Sequence, residues 1–498
     1  MDMFQNLFFG FGVALSLQNL LYCFLGCLLG TLIGVLPGIG PLATIAMLMP
    51  ITFNLSAVSA LIMLAGIFYG AQYGGSTTAI LVNLPGETSA VVTCMDGYQM
   101  ARQGRAGVAL AIAALGSFFA GTFCTLLIAL FGPPIAEMAL KFNSPEYFSL
   151  MFMGLVAAAV LAQGGMVKSL AMVVLGLLLG SVGTDVDSGW ARFSFDLIEL
   201  TDGIGFVVVA IGVFALGEIV NNLGEIEERQ VFTSKVGTLF PTPADVKRSI
   251  GPILRGTILG AFFGVLPGTG PAIASFSSYM VEKKVAKDPA RFGHGAIEGV
   301  AGPEAANNAD AQCKFIPMLT LGIPASGTMA LMLGALMIHG IAPGPTVMTK
   351  NPDLFWGLIA SMWVGNLMLV LLNLPLIGLW VSLLKVPYRL LFPAIMVFSS
   401  IGIYSINNSP FDIYLTAVFG LLGFLWLKLG CPPAPLMLGF VLGPMMEENL
   451  RRAMLISRGD PMVFLRRPIS LGFVIATVLI VILMAAPAMR KKRGSITG

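Results

Sequence analysis

Long apolar runs alternate with short polar loops along almost the whole chain, and residues 354–384 carry no charged side chain at all. About 20 apolar residues cross a hydrocarbon core as a helix, so a run of this length predicts a span that tilts or kinks at Pro375. Backbone polar groups in lipid must be satisfied within the segment or in a closed barrel. The short alternating segments of a barrel are missing from the pattern. The pattern therefore predicts an all-α integral membrane protein with about 10–12 transmembrane helices.

Composition supports this and narrows the function. Of 498 residues, 56% are hydrophobic and 11% charged, against about a quarter charged in soluble chains, and the mean hydropathy is +0.88. A net charge of +3 gives no nucleic-acid signature. The opening MDMFQNLFFGFGVAL has no Lys or Arg, unlike a cleavable signal, so the first helix is expected to be retained. Cys23, Cys27, Cys94, Cys124, Cys313 and Cys431 are scattered in apolar context, which fits packing better than metal or disulfide chemistry. His294 and His339 share no ligand spacing with them, so no metal site is expected. There is no Walker A sequence and no nucleophile–base pair or carboxylate dyad; no cofactor and no enzymatic activity are expected.

An internal repeat organises the chain. GCLLGTLIGVLPGIGP at 26–41 matches GTILGAFFGVLPGTGP at 256–271 in ten of sixteen positions without a gap. A weaker echo joins GLLLG at 176–180 to GFVLG at 439–443. The chain reads as a first transmembrane half, 1–222, a polar linker, 223–249, a second half, 250–489, and a basic tail, 490–498. Thr242, Pro243 and Asp245 carry a helix-start signature near the end of the linker. Loop 184–202 is acidic (Asp185, Asp187, Asp196, Glu199 and Asp202 against Arg192), whereas its echo, 447–467, holds five arginines. Cytoplasmic loops favour Lys and Arg, so the loops are expected on opposite sides and the halves as inverted-topology repeats. The basic tail Arg490-Lys491-Lys492-Arg493 runs against this charge bias.

Gly26, Gly30, Gly34 and their partners Gly256, Gly260, Gly264 recur every fourth residue, and close helix packing accounts for all six. The breaks that follow, 37–41 and 267–271, cannot continue a helix, yet apolar sequence flanks both. Broken backbone at membrane depth is tolerated only when buried or lining a wet cavity, where freed N–H groups hold anions and carbonyls hold cations. A second broken element follows in each half, through Ser76, Thr77 and Asn83 in one and through Asn307, Asn308, Ser326 and Thr328 in the other. Hydroxyls and amides there suit recognition of a carboxylate without a buried charge. The expected substrate site is Gly38, Gly40, Ser76, Thr77, Asn83, Gly268, Thr269, Gly270, Asn307, Asn308, Ser326 and Thr328. Charges in these elements are few: Glu87, Glu298, Glu304, Asp310 and Lys314, the last two spaced to pair on one helix face. Helices poor in ionisable relays but supplied with free carbonyls predict sodium as the coupling ion, with the proton as alternative.

GVLPGIGP, YGGSTTAILVNLPGE, GVLPGTGP, EGVAGPEAANNADAQ, IPMLTLGIPASGTMA and HGIAPGP together resemble the large membrane subunit of the tripartite tricarboxylate transporters, from about residue 20 to about residue 455. The resemblance implies a bacterial inner-membrane secondary transporter driven by a sodium or proton gradient. It also implies a small transmembrane subunit, a periplasmic substrate-binding protein, and di- or tricarboxylates or related organic acids as cargo. Ala325 and Gln312-Cys313-Lys314 depart from the family's small, glycine-rich pattern, which points to an altered substrate preference. A stand-alone organic-anion carrier or exchanger with the same repeat fold is the alternative; a channel is a third class.

Overall fold

The computed structural model describes residues 3–36, 39–162, 165–185, 188–223, 237–383 and 388–494. The first half contains α1 (Met3–Ala14), α2 (Leu17–Gly34), α3 (Pro41–Leu48), α4 (Ala57–Val82), α5 (Ala106–Ala139), α6 (Ser144–Leu161), α7 (Met166–Gly180) and α8 (Phe206–Asn221). The second contains α9 (Pro243–Val265), α10 (Pro271–Val285), α11 (Glu298–Cys313), α12 (Phe315–Leu321), α13 (Gly327–Ile338), α14 (Pro352–Asn373), α15 (Tyr388–Asn407), α16 (Pro410–Lys428), α17 (Pro433–Ile456) and α18 (Pro468–Gly494). Among the described residues six helices are long and apolar enough to cross a membrane, and further apolar helices are shorter. This is an all-α membrane protein; its only described strands are the two-residue pair Gly183–Thr184 and Ala191–Arg192.

Local chemistry sets the helix ends. The Thr242 hydroxyl accepts from the Asp245 N–H at 3.2 Å while the Asp245 carboxylate accepts from the Thr242 N–H at 3.1 Å, a reciprocal cap. The helix it starts is long, however, so α9 runs through the expected boundary at 249–250. The run 354–384 breaks outright near Pro375, between α14 and the short helix Ile377–Leu383.

Glycine decides how the helices pack. A Cβ at Gly26, Gly30 or Gly34 would strike the backbone carbonyl of Met63, Ile67 or Ala71, and Gly66, Gly70 and Gly74 of α4 meet the α2 backbone in return. In the second half Gly256, Gly260 and Gly264 press on the carbonyls of Gly302, Ala306 and Asp310. Residue numbers rise together in both pairs, so α2 runs parallel to α4 and α9 parallel to α11. The chain must turn back between them, and the short α3 and α10 make that return. Between the halves the sense reverses. Ser76 meets Glu304 of α11 at 2.6 Å while the Tyr69 ring lies 6.0 Å from that of Phe315, at the start of α12, so α4 runs antiparallel to the path from α11 into α12. Gly121 faces Asn366 and Gly132 faces Phe355, which makes α5 and α14 antiparallel too.

The expectation that loops 184–202 and 447–467 lie on opposite sides is overturned. Arg451 bonds Asp185 at 2.7 Å and Arg192 bonds Glu447 at 2.9 Å, so the loops are joined on one side (Asp187 lies outside the described residues). The echo behind the expectation is a packing motif, not a pair of equivalent positions. Gly176 and Gly180 of α7 press on the Leu436 and Phe440 carbonyls of α17, and Gly439 presses back on Val173, so the two helices lie side by side and parallel. Arg451 answers Asp185 across the two loops, while Arg452, Arg466 and Arg467 pair with Glu448, Asp460 and Glu146, so local pairing accounts for these arginines and they carry no information about sidedness.

Two outcomes are expected. In a cysteine-free background, Ser188→Cys and Arg452→Cys label from the same side with an impermeant maleimide; one-sided labelling of only one of them contradicts this packing. Gly30→Ala, which drives a Cβ into a main-chain carbonyl, costs about 1–3 kcal/mol by overpacking. Gly12→Ala, with nothing within 4 Å, is neutral. Thermal unfolding in detergent compares the two.

Candidate functional site

The described parts of both Gly-Pro breaks open onto one cavity of about 350 Å³. Gly40 and Pro41 line it from the first half and Gly268, Thr269, Gly270 and Pro271 from the second. The second broken elements close it, with Gly86, Glu87 and Thr88 from one half and Ser326, Gly327 and Thr328 from the other. Four helices begin at its wall: α3, α10, α13 and α17 have Gly40, Gly270, Ser326 and Pro432 as N-caps. Helix N-termini carry partial positive charge and unpaired N–H groups. Four starts at one cavity favour an anion without a full countercharge.

Side chains add a sparse set of charges. Lys314, 1% exposed, lines the cavity at the junction of α11 and α12 and is ion-paired with Asp310; it is the sole cationic side chain among the described lining residues. Glu87 lines it and accepts from Asn307 Nδ2 at 2.9 Å. Glu218 of α8 also lines it, together with Gly40. Between them Gln72 of α4, fully buried, has neither amide atom partnered. The wall from α8 contains a π-helical turn, Ile211–Leu216, carrying the lining residues Val213 and Phe214. Such turns interrupt helices at a cost and recur at functional sites.

Of the residues expected from sequence, Gly40, Gly268, Thr269, Gly270, Ser326 and Thr328 line this cavity; Gly38 lies outside the described residues. Their parts differ. Gly268 has φ +80°, and a Cβ there would lie 2.6 Å from the backbone of Ala157 and Ala158, so its glycine serves the turn and its packing on α6. A Cβ added at Gly270 would meet nothing within 4 Å and one at Gly40 only the Gly86 carbonyl at 3.9 Å, so packing does not demand glycine at either. Thr269 turns its hydroxyl to the Leu266 carbonyl at 2.8 Å, and the Ser326 hydroxyl caps α13 by accepting from the Met329 N–H.

The other five lie away from the cavity. Ser76 donates to Glu304, and Thr77 to the Tyr73 carbonyl at 3.3 Å; both line a separate small void. Asn83 takes φ 57° as the C-cap of α4, the left-handed position that Gly322 fills after α12 with φ 70°, so it stops a helix. Asn308 donates to Ser117 at 2.6 Å and fastens α11 to α5. Asn307 reaches the cavity only through Glu87. Sequence reasoning missed Gln72, Glu218 and the lining role of Lys314. A lone acid in the apolar run 204–223 was the available signal, since an ionisable group in a membrane segment is expensive to keep without a use. The argument from relay-poor helices also weakens, because Glu87, Glu218, Glu304 and Asp310 are all at least partly buried in the bundle.

A multi-pass helical chain with matched broken helices around an internal cavity has the build of a membrane transporter. The tripartite tricarboxylate transporter TctA family model matches residues 20–438; the chain belongs to that family. It is 60% identical over 496 residues, 100% of this chain and 99% of the relative, to the "Uncharacterized 52.8 kDa protein in TAR-I ttuC' 3'region" of Agrobacterium vitis. It is 62% identical over 237 residues, 48% of this chain and 98% of the relative, to the "Uncharacterized protein in TAR-II ttuC' 3'region" of the same organism. No solved structure matches the chain.

Glycine variants separate the two roles. Gly268→Ala is expected to lower thermal stability and the yield of folded protein. Gly270→Ala, whose methyl enters open space, is expected to melt within about 0.5 kcal/mol of wild type while weakening uptake. Equal melting of the two would refute the division.

Proposed function

We propose that this chain is the substrate-translocating subunit of a binding-protein-dependent secondary transporter in a bacterial inner membrane. It takes di- or tricarboxylates or related organic acids from a periplasmic binding protein, works with a small transmembrane subunit, and is driven by a sodium gradient. The observation that carries this reading is the convergence of four helix starts and Lys314 on one cavity. One carboxylate of the substrate sits at the helix starts, where N–H groups replace its water shell. A second draws Lys314 from Asp310. Family membership supports the three-component arrangement.

The antiparallel sense of α4 against α11 and of α5 against α14 supports inverted halves. On that reading Gly40 corresponds to Gly270 and Glu87 to Ser326, so the cavity has two similar walls of opposite sense. Rocking of one half on the other would then expose it alternately to each side.

Uptake of labelled di- and tricarboxylates by cells expressing all three components tests this. Saturable uptake that needs the binding protein is expected; full uptake without that protein would favour a stand-alone carrier, and non-saturating flux a channel. Truncating Lys314 alone strands the buried Asp310, so the informative variant is Asp310→Asn with Lys314→Met. It should express as wild type, but its half-saturating substrate concentration should rise about tenfold to hundredfold, the value of about 1.5–3 kcal/mol for one charge-assisted bond. Unchanged kinetics would remove Lys314 from the site.

A further inference from the structure

Behind the cavity, where α4, α5, α11 and the end of α14 meet, lies a second, much smaller void. About 20 Å³ in volume, it is lined by Tyr73, Ser76, Thr77, Ser117, Glu304 and Asn373 among apolar neighbours. A space of that size holds one water or one bare ion and no hydration shell. Every polar side chain on its wall carries an oxygen, and among the described lining residues there is no sulfur, imidazole or cation. That ligand chemistry suits a hard cation.

Two groups at this void lack what burial normally requires. Glu304 is 1% exposed; the Ser76 and Thr93 hydroxyls donate to its oxygens, yet no described Lys, Arg or His pairs with it. A buried carboxylate without a countercharge is costly. Asn373 is 5% exposed, and its Nδ2 is spent on the Leu369 carbonyl at 2.8 Å, leaving Oδ1 with no partner. A buried amide oxygen left bare costs about 1–3 kcal/mol. One monovalent cation in the void supplies both, a countercharge for Glu304 and a partner for Asn373.

We propose that this void is a sodium site, formed by Glu304 and Asn373 with the hydroxyls of Ser76, Thr77 and Ser117, and that it is where the driving ion binds. The assignment rests on the ion-driven reading above. It also explains how ion and substrate communicate. Ser76 sits one turn from Gln72 on α4, its hydroxyl 3.2 Å from the Gln72 carbonyl, and Gln72 lines the substrate cavity. Glu304 lies one turn before Asn307, which holds Glu87 at that same cavity. A cation between Ser76 and Glu304 clamps α4 to α11 and thereby fixes residues on both walls.

Binding is read without any substrate. The purified full-length chain in detergent is melted while sodium chloride replaces choline chloride at constant ionic strength, with potassium chloride as the control. A saturable rise in melting temperature is expected with sodium and not with potassium, since a ligand specific to the native state stabilises it by mass action. Glu304→Gln and Asn373→Leu should each raise the half-saturating sodium concentration by about tenfold or more. Asn373→Leu keeps side-chain size and needs no buried charge, so it decides the matter if Glu304→Gln folds poorly. The proposal is overturned by a wild-type protein indifferent to sodium, by half-saturation unchanged in the variants, or by stabilisation that follows pH alone. A chain that imports carboxylates in cells yet shows no sodium-specific stabilisation would overturn the sodium site and leave the transport reading standing.

Discussion

Backbone laid on backbone is the contact from which the rest of this architecture follows. Where α2 meets α4 and α9 meets α11, glycines bring main-chain carbonyls into the space a methyl group would need. Lipid gives helices no hydrophobic reason to associate, so such close packing carries much of their attraction. Because each pair is parallel, the chain must return between its members. The return is short and starts from a Gly-Pro break, which leaves helix N-termini inside the protein. The cavity is thus a consequence of the packing, and the proposed affinity for anions would follow from where the returns begin.

Glycine and proline were the legible part of the sequence, because they act through backbone geometry and need no knowledge of neighbours. The repeat and its breaks come from such residues, and the cap at Thr242 from a Thr and an Asp three apart, which is equally local. Side-chain roles were less legible. Ser76, Thr77 and Asn308 look like ligands in a linear sequence, but helix phase turns them from the cavity toward Glu304, Tyr73 and Ser117. Asn83 reads as a polar recognition residue and is a helix stop. Glu218 and Gln72 arrive from apolar runs that no motif marks, and only the three-dimensional approach of α8 and α4 brings them to the wall. The loop assignment failed for a related reason. Two glycine-spaced helices resemble each other both when they are repeats and when they pack together, and α7 and α17 do the latter.

The charges of the bundle form a connected set along α11. Glu304 faces the small void, Asn307 holds Glu87, and Asp310 holds Lys314 at the cavity. Each step is about one helical turn, so the proposed ion at the first group and the proposed substrate contact at the last would act on one helix and its C-cap. A buried ion pair contributes little net stability. On the proposed function, Lys314 and Asp310 are a pair kept for exchange of partners and not a fastening of the fold.

Whether the cavity between the two breaks is the path of the substrate can be measured at Gly270, whose backbone faces open space. In a cysteine-free background, Gly270→Cys is treated with a small thiol reagent in cells carrying the binding protein and the small subunit. Modification is expected to abolish uptake, and the transported acid, present during treatment, is expected to slow that inactivation in proportion to site occupancy. Complete modification with undiminished uptake would contradict the account and move the substrate path elsewhere in the bundle.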